Sequence, residues 1–280
     1  MSVFSLKGRV ALITGGAGLL GIQHALAIRE AGGMPILGDI HPDALEKARA
    51  LVGDTCEVIV CDVTTKQSIE NALAEILSRH GKVDILVNNA ARNPKVEPVP
   101  ETRQDGQPER GGLTIFPGFA DLTVEEWNRD LAVGITGAML CCQVMGGWMA
   151  ANRGGSIVNI GSEYALIAPD QSVYRVEGLA EEDQPSKPIT YTVVKHAIVG
   201  LTKHLAVLWA KKGVRVNCLC PAGVKQNQSS EFNNKISRLI PMGHMAPPDH
   251  VRGALVFLCS DASSFMTGEV VAVNGGRTAW

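Results

Sequence analysis

Seven short apolar runs rich in β-branched residues recur along the chain: "RVALIT", "MPILGD", "CEVIVCD", "VDILVNN", "GSIVNIG", "VRVNCLC" and "GEVVAVN". Longer stretches with helical spacing separate them. This βαβα rhythm predicts an α/β fold, doubly wound around a mostly parallel sheet, because near-continuous apolar strands are what burial on both faces requires. The 280 residues, 45% hydrophobic and 19% charged, suit one large domain or two small ones with an ample core. No internal repeat is visible. Two segments break the rhythm, 91–119 and 163–189, both rich in Pro, Gly and charge. Each follows a strand and the strand pattern resumes after it, so they read as long loops at the carboxyl edge of the sheet, where open α/β folds bind ligands.

Charge and cysteine usage exclude several functions. The formal net charge is -2 and no Lys/Arg run exceeds two residues, so neither a nucleic-acid surface nor a polybasic membrane surface is expected. The N-terminus has no long apolar run with a small-residue cleavage site, and no uninterrupted apolar run approaches 18 residues. A soluble, cytoplasmic protein is the expectation. The seven Cys are scattered without zinc-knuckle or disulfide spacing and read as reduced, buried thiols. The seven His include no H-E-x-x-H, so no metal is assigned.

The first strand runs into "TGGAGLLGIQHALAIREAGG", in which Gly16-x-Gly18-x-x-Gly21 fits a dinucleotide-binding turn. Glycines there permit a tight turn, close backbone approach to a pyrophosphate, and tight helix–sheet packing. The turn follows a strand, opens a helix at Leu19 and Leu20, and is followed by Asp39, 18 residues beyond Gly21 at the end of the second strand. A carboxylate there accepts hydrogen bonds from ribose hydroxyls and repels a 2′-phosphate. Residue 40 is Ile rather than a cation, so the expected cofactor is NAD rather than NADP. The strand end "CDVT" offers Asp62 and Val63 to the adenine, and "VNNAA" offers Asn89, Ala90 and Ala91 beside the cofactor; Asn88 reads equally as a structural residue bonding neighbouring strands.

Tyr191 and Lys195, four residues apart at the start of a helical pattern that stops at Gly213, share one face of that helix. Ser162 ends a strand on the same sheet edge. A hydroxyl, a phenol and an ammonium therefore converge beside an expected nicotinamide. Hydride transfer at an alcohol carbon requires a proton to leave or reach its oxygen, and a phenol with a pKa of about 10 needs its anion stabilised to serve near neutrality. Lys195 supplies that charge and also bonds the cofactor ribose, while Ser162 holds the substrate oxygen. The competing readings are a turn serine and an interface tyrosine.

The glycine turn from Gly15, "NNA", Ser162, Tyr-x-x-x-Lys, "RVNCLCPAGV" and "FLCSDASSFMTGEVVAVNGG" together resemble the short-chain dehydrogenase/reductase family over nearly the whole chain. The resemblance implies a single domain with a seven-stranded Rossmann-type sheet and NAD(P)-dependent interconversion of an alcohol and a carbonyl. It also implies a homo-oligomer, usually a tetramer, built through the long helices and the C-terminal strand. Pro221, Gly223 and Val224 are then expected along the nicotinamide, with a substrate loop at about 225–248. "APDQ" and the "GGRTAW" ending are similar to a branch associated with sugar metabolism and surface-sugar or flagellin modification. Where shorter members carry Asn in the long fourth helix, this chain has Gly134, which the sequence suggests leaves room for a water.

Arg92, Lys95, Asp170, Gln171, Tyr174 and Arg175 in the two long loops favour a polar substrate. The leading expectation is an NAD-dependent oxidoreductase for a secondary alcohol of a sugar, polyol or sugar acid. A carbonyl reductase for a non-sugar substrate, an epimerase or dehydratase of nucleotide sugars, and a catalytically silent NAD-binding sensor or scaffold remain as alternatives. Trp127, Trp148, Trp209 and the terminal Trp280 are candidates for burial between subunits.

Overall fold

The computed structural model describes residues 2–92, 119–178, 180–181 and 184–280. All seven apolar runs form strands: β1 (Val10–Thr14), β2 (Met34–Asp39), β3 (Glu57–Val60), β4 (Ile85–Asn88), β5 (Gly155–Ile160), β6 (Val214–Pro221) and β7 (Val270–Val273). They make one parallel sheet in the order β3-β2-β1-β4-β5-β6-β7. The order reverses between β1 and β4, which opens a crevice at the carboxyl edge of the sheet.

Helices cover both faces because the crossovers must return the chain to the same edge. On one face α1 (Leu19–Glu30), α2 (Pro42–Val52) and α9 (Arg252–Cys259) pack over Ala11, Ile13, Leu37, Val87 and Val158. The opposite face carries α3 (Lys66–His80), the continuous helical run Val124–Ala151 and α7 (Ile189–Trp209), packed over Leu12, Ile36, Leu86, Ile157 and Val216. Adjacent residues of each strand therefore point into different cores, and both sets are apolar. The run Val124–Ala151 comprises α4 (Val124–Leu131), α5 (Gly137–Cys141) and α6 (Gly147–Ala151), joined by π-helical turns at Ala132–Thr136 and Cys142–Gly146. It starts at a capping box in which Thr123 and Glu126 exchange hydrogen bonds, and α7 gives way to a 3-10 turn that ends on the left-handed Gly213.

Two expectations need correction. The loop at 225–248 contains a helix, α8 (Ser230–Ser237), capped by Ser229. Trp209 is a core residue rather than an outward one, lying against Gly146 and Ile157. The segment 163–189 is tied by local structure, with 3-10 turns at Glu163–Ala165 and Gln171–Tyr174 and α7 beginning at Ile189. Of the segment 91–119, residues 93–118, Lys95 included, lie outside the described residues.

His24 on α1 is fully buried and neither ring nitrogen has a hydrogen-bond partner among the described residues. Burial pulls its pKa from 6.5 to about 3; the nearby Asn89 side chain opposes this shift and His250 adds to it. The folded state therefore binds this proton later than the unfolded chain as pH falls. The stability associated with His24 is complete above about pH 6.5 and is lost progressively down to about pH 3. Replacing His24 with Leu should flatten the acid arm of the stability curve in that window, as measured by denaturant midpoints at a series of pH values.

Candidate active site

Every strand delivers its carboxyl end to one edge, and the sequence-predicted residues arrive there with it. Gly15 leaves β1 at φ +60, a conformation a side chain resists, and a Cβ there would lie 2.8 Å from the Cα of Ala90. A Cβ on Gly21 would meet the Gly15 carbonyl at 2.5 Å, and one on Gly16 the Cβ of Leu37 at 2.7 Å. The turn thus lies directly against β2 and the end of β4. Gly18 caps α1 without any side-chain hydrogen bond, and the first turn of α1, beginning Leu19-Leu20, carries no acid. Its first amides are left for an anion, which is the chemistry a dinucleotide pyrophosphate presents.

Asp39 ends β2 and reaches back to this turn: one carboxylate oxygen accepts the Ala17 amide and the other the His41 amide, both at 3.3 Å. Ile40 beside it is exposed. Asp62 follows β3, where one oxygen accepts both the amide and the hydroxyl of Thr64, an Asx-type turn that leaves the second oxygen outside this local bonding. Val63 is buried and packs against Gly137. Asn89 donates its side-chain amide to the carbonyls of Thr14 and Gly15, and Ala90 donates its N–H to the Thr14 hydroxyl. Ala91 follows them, exposed at the edge. Asn88 takes the structural role, donating to Asn159 Oδ1 on β5 at 2.8 Å. The residues at this edge therefore fit a nicotinamide dinucleotide: a helix N-terminus without a side-chain cap, a glycine-rich turn, and a carboxylate at the end of β2.

Ser162 leaves β5 and its hydroxyl accepts the Tyr164 amide at 3.2 Å. Tyr191 lies in the first turn of α7, and Lys195, one turn on, donates to the Ile160 carbonyl at 2.8 Å. The Lys195 ammonium sits 5.5 Å from the centre of the Tyr191 ring. Burial pushes the Tyr191 phenol up to about 12, while its hydrogen bond with Ser162 pulls the other way. Burial also pulls Lys195 down to about 8. The three groups therefore stand together on one side of the crevice. Pro221, the last residue of β6, is buried; beyond it Gly223 and Val224 pair with Ala246, which folds the segment holding α8 back over this edge.

Several groups at the site carried no signal in the sequence. Lys187 places its ammonium 4.1 Å above the centre of the Tyr191 ring, and burial followed by the charge of Lys195 pulls its pKa down to about 8. Tyr164 stands edge-on to Tyr191 at 6.3 Å, and its hydroxyl meets that of Tyr174 at 3.5 Å. Glu163 is buried beside Ser162. Lys187 precedes Tyr191 by four residues, but it lies before α7, with the extended Pro188 between it and the helix, so helical spacing does not predict their contact. Of the loop residues expected to contact substrate, Arg92 faces Asp130 at 3.6 Å and Arg175 pairs with Glu181.

The pattern of the short chain dehydrogenase family matches residues 9–237, and the chain belongs to that family. It is 29% identical to the NAD-dependent glycerol dehydrogenase of Listeria innocua, covering 98% of this chain and 96% of that protein. It is 30% identical to the D-threitol dehydrogenase of Mycolicibacterium smegmatis, over 98% and 95%. A solved gluconate 5-dehydrogenase from Burkholderia cenocepacia, in complex with NADP and tartrate, superposes with a TM-score of 0.78 at 26% identity, over 99% and 98% of the two chains. The protein is a nicotinamide-dependent oxidoreductase acting on CH–OH groups.

Gly134 does not leave the space expected of it. It is buried in the first π-helical turn, and an added Cβ would overlap Val194 Cγ1 on α7. The volume that a side chain or water would take is filled by the residue preceding Lys195. Gly134→Asn should therefore cost about 1–3 kcal/mol through overpacking and lower turnover by displacing α7, with Val194→Ala restoring much of both. Urea midpoints and steady-state rates of the two single variants and the double variant check this.

Proposed function

We propose that the protein is an NAD-dependent dehydrogenase that interconverts a secondary alcohol and a ketone on a polyol, sugar or sugar-acid substrate. The observation that carries this reading is the convergence of Ser162, Tyr191 and Lys195 on the edge that also holds the glycine-rich turn and Asp39. Bound nicotinamide supplies the hydride acceptor or donor. Ser162 holds the substrate oxygen by a hydrogen bond, and Tyr191 takes its proton during oxidation and returns it during reduction. Lys195 favours the phenolate by its charge and is held in place by the Ile160 carbonyl. The cofactor residues in this reading are Gly15, Gly16, Gly18, Leu19, Leu20, Asp39, Ile40, Asp62, Val63, Asn89, Ala90, Ala91, Pro221, Gly223 and Val224, joined by Tyr191 and Lys195 at the nicotinamide end.

Asp39 supports NAD over NADP, because a 2′-phosphate beside this carboxylate meets repulsion and Ile40 offers no compensating cation. The glycerol and threitol dehydrogenases support a polyol. The polar character of the segment 163–189, spliced between Ser162 and Tyr191, agrees with it and makes that segment one wall of the substrate pocket.

Purified protein should form NADH with one or more members of a panel of polyols, sugars, sugar acids, sugar phosphates and nucleotide sugars, with NAD preferred over NADP. Tyr191→Phe should lower turnover at least 100-fold while leaving NADH binding by fluorescence unchanged. An active Tyr191→Phe enzyme would remove the phenol from the mechanism.

The same reading includes a soluble, cytoplasmic homotetramer. The helical runs Val124–Ala151 and Ile189–Lys212 are apolar enough in composition and length to cross a membrane, yet well under half of each is buried in the protomer. Each packs one face on the sheet and leaves an apolar outer face, with Val207 and Leu208 exposed, as are Phe265 and Trp280. Apolar faces of this extent call for cover by other copies. Light scattering at micromolar concentration should give about four times the protomer mass, and a monomer would contradict the assembly.

A further inference from the structure

We propose that Glu163 determines substrate specificity by accepting a hydrogen bond, through its carboxylate, from the hydroxyl on the carbon next to the one oxidised, so that the enzyme selects vicinal polyols. This rests on the polyol reading above and deepens it. Glu163 is the residue after Ser162, at the start of a 3-10 turn that Ser162 caps, and its chain position places it within one residue of the group that holds the reacting oxygen. It is 2% exposed, and its Oε2 has no hydrogen-bond partner among the described residues. A buried carboxylate oxygen without a donor is costly unless something fills the role, so the site asks for a ligand hydroxyl.

The surroundings of the carboxylate define what that ligand is. The Gly223 amide, in the segment expected along the nicotinamide, bonds to it from one side, and Arg277 of the C-terminal tail acts on it electrostatically. Phenols approach from three elements: Tyr164 on the same turn, Tyr174 on the turn Gln171–Tyr174, and Tyr191 on α7. The Lys187 and Lys195 ammoniums lie 4.1 Å and 5.5 Å from the centre of the Tyr191 ring. An acceptor set among neutral hydroxyl groups, immediately beside the serine, matches a neutral polyol carrying a second hydroxyl next to the carbinol. An anionic group at this spot would meet the carboxylate head-on.

Burial pushes the Glu163 carboxyl up to about 7, against Arg277 and the Gly223 amide. The acceptor form therefore gains population as pH rises through neutrality, and polyol binding should tighten with it.

The test is steady-state kinetics of the full-length enzyme with NAD, using the best polyol of the panel and the analogue lacking the hydroxyl next to the carbinol. Glu163→Gln should reduce kcat/KM for the polyol by about 10- to 100-fold, chiefly through KM, as loss of a charge-assisted hydrogen bond implies. The same variant should lower the polyol-to-deoxy ratio of kcat/KM by about 10-fold or more, any change shared by the two substrates reporting only the loss of a charge near the phenol; it should also keep the wild-type affinity for NADH and lose the rise in polyol kcat/KM near pH 7. Glu163→Asp, which keeps the charge but withdraws it by one methylene, should fall between the two. Equal losses on polyol and deoxy analogue, together with a lowered unfolding midpoint, would mean that Glu163 only anchors Arg277 and the tail, and would overturn the proposal. A wild type that oxidises secondary alcohols but discriminates against every polyol would instead remove the reading beneath it.

Discussion

A chain of buried side-chain amides and hydroxyls ties the centre of the sheet to the helix that carries the phenol. Asn88 on β4 donates to Asn159 on β5, Asn159 donates to Thr202 on α7 at 2.9 Å, and Thr202 closes the chain on the Ile198 carbonyl at 2.8 Å. All three side chains are buried in apolar surroundings, where an unpaired amide costs about 1–3 kcal/mol. Each partner therefore holds the next in a single register. Apolar packing alone would allow α7 to slide or rotate on the sheet; these bonds fix which of its faces meets β5. Tyr191 and Lys195 inherit their positions from that choice, and the Lys195 bond to Ile160, also on β5, repeats the constraint about two turns nearer the edge.

The other half of the edge is fixed by backbone contact rather than by side chains. Thr14 and Asn89 stitch the end of β1 to the end of β4, and the absence of Cβ atoms at Gly15, Gly16 and Gly21 lets α1 begin directly at the crevice. The reversal of strand order lies between these two strands. One rigid seam thus joins the part of the edge suited to a dinucleotide with the part that carries Ser162, and the distance between them is set by two neighbouring parallel strands.

The features legible in the sequence were those governed by local pattern. Strands buried on both faces must be apolar throughout, so all seven could be read, and the glycine turn declares itself because a strand, a helix and Asp39 stand at fixed separations from it. Features set by contact between distant segments were hidden. Gly134 reads as an opened space until Val194, 60 residues later in the chain, is seen to occupy it. Trp209 reads as an outward aromatic until Gly146 is found beneath it. Glu163 looks like an ordinary polar residue in a loop, since nothing in "GSEYA" reports that a carboxyl after the serine turns inward beneath Gly223. The helix within 225–248 was missed because its short polar pattern, "SEFNNKIS", carries few apolar residues to mark a face.

The charges at the site explain how a buried phenol can work near neutrality. Burial pushes the Tyr191 phenol from 10.0 up to about 12, which disfavours the phenolate by an amount on the order of a few kcal/mol. An ammonium near the ring, as Lys195 is at 5.5 Å from its centre, acts with the opposite sign and with a magnitude of the same order. Lys195 therefore works against burial, and the ammonium of Lys187, 4.1 Å from the ring centre, lies close to the same ring. The carboxylate of Glu163 acts against both lysines. Its position beside Ser162 is then informative: a charge that opposes the phenolate is tolerated at the reacting centre where it performs a task of its own, and accepting a hydroxyl from the substrate is a task its unpartnered oxygen can perform.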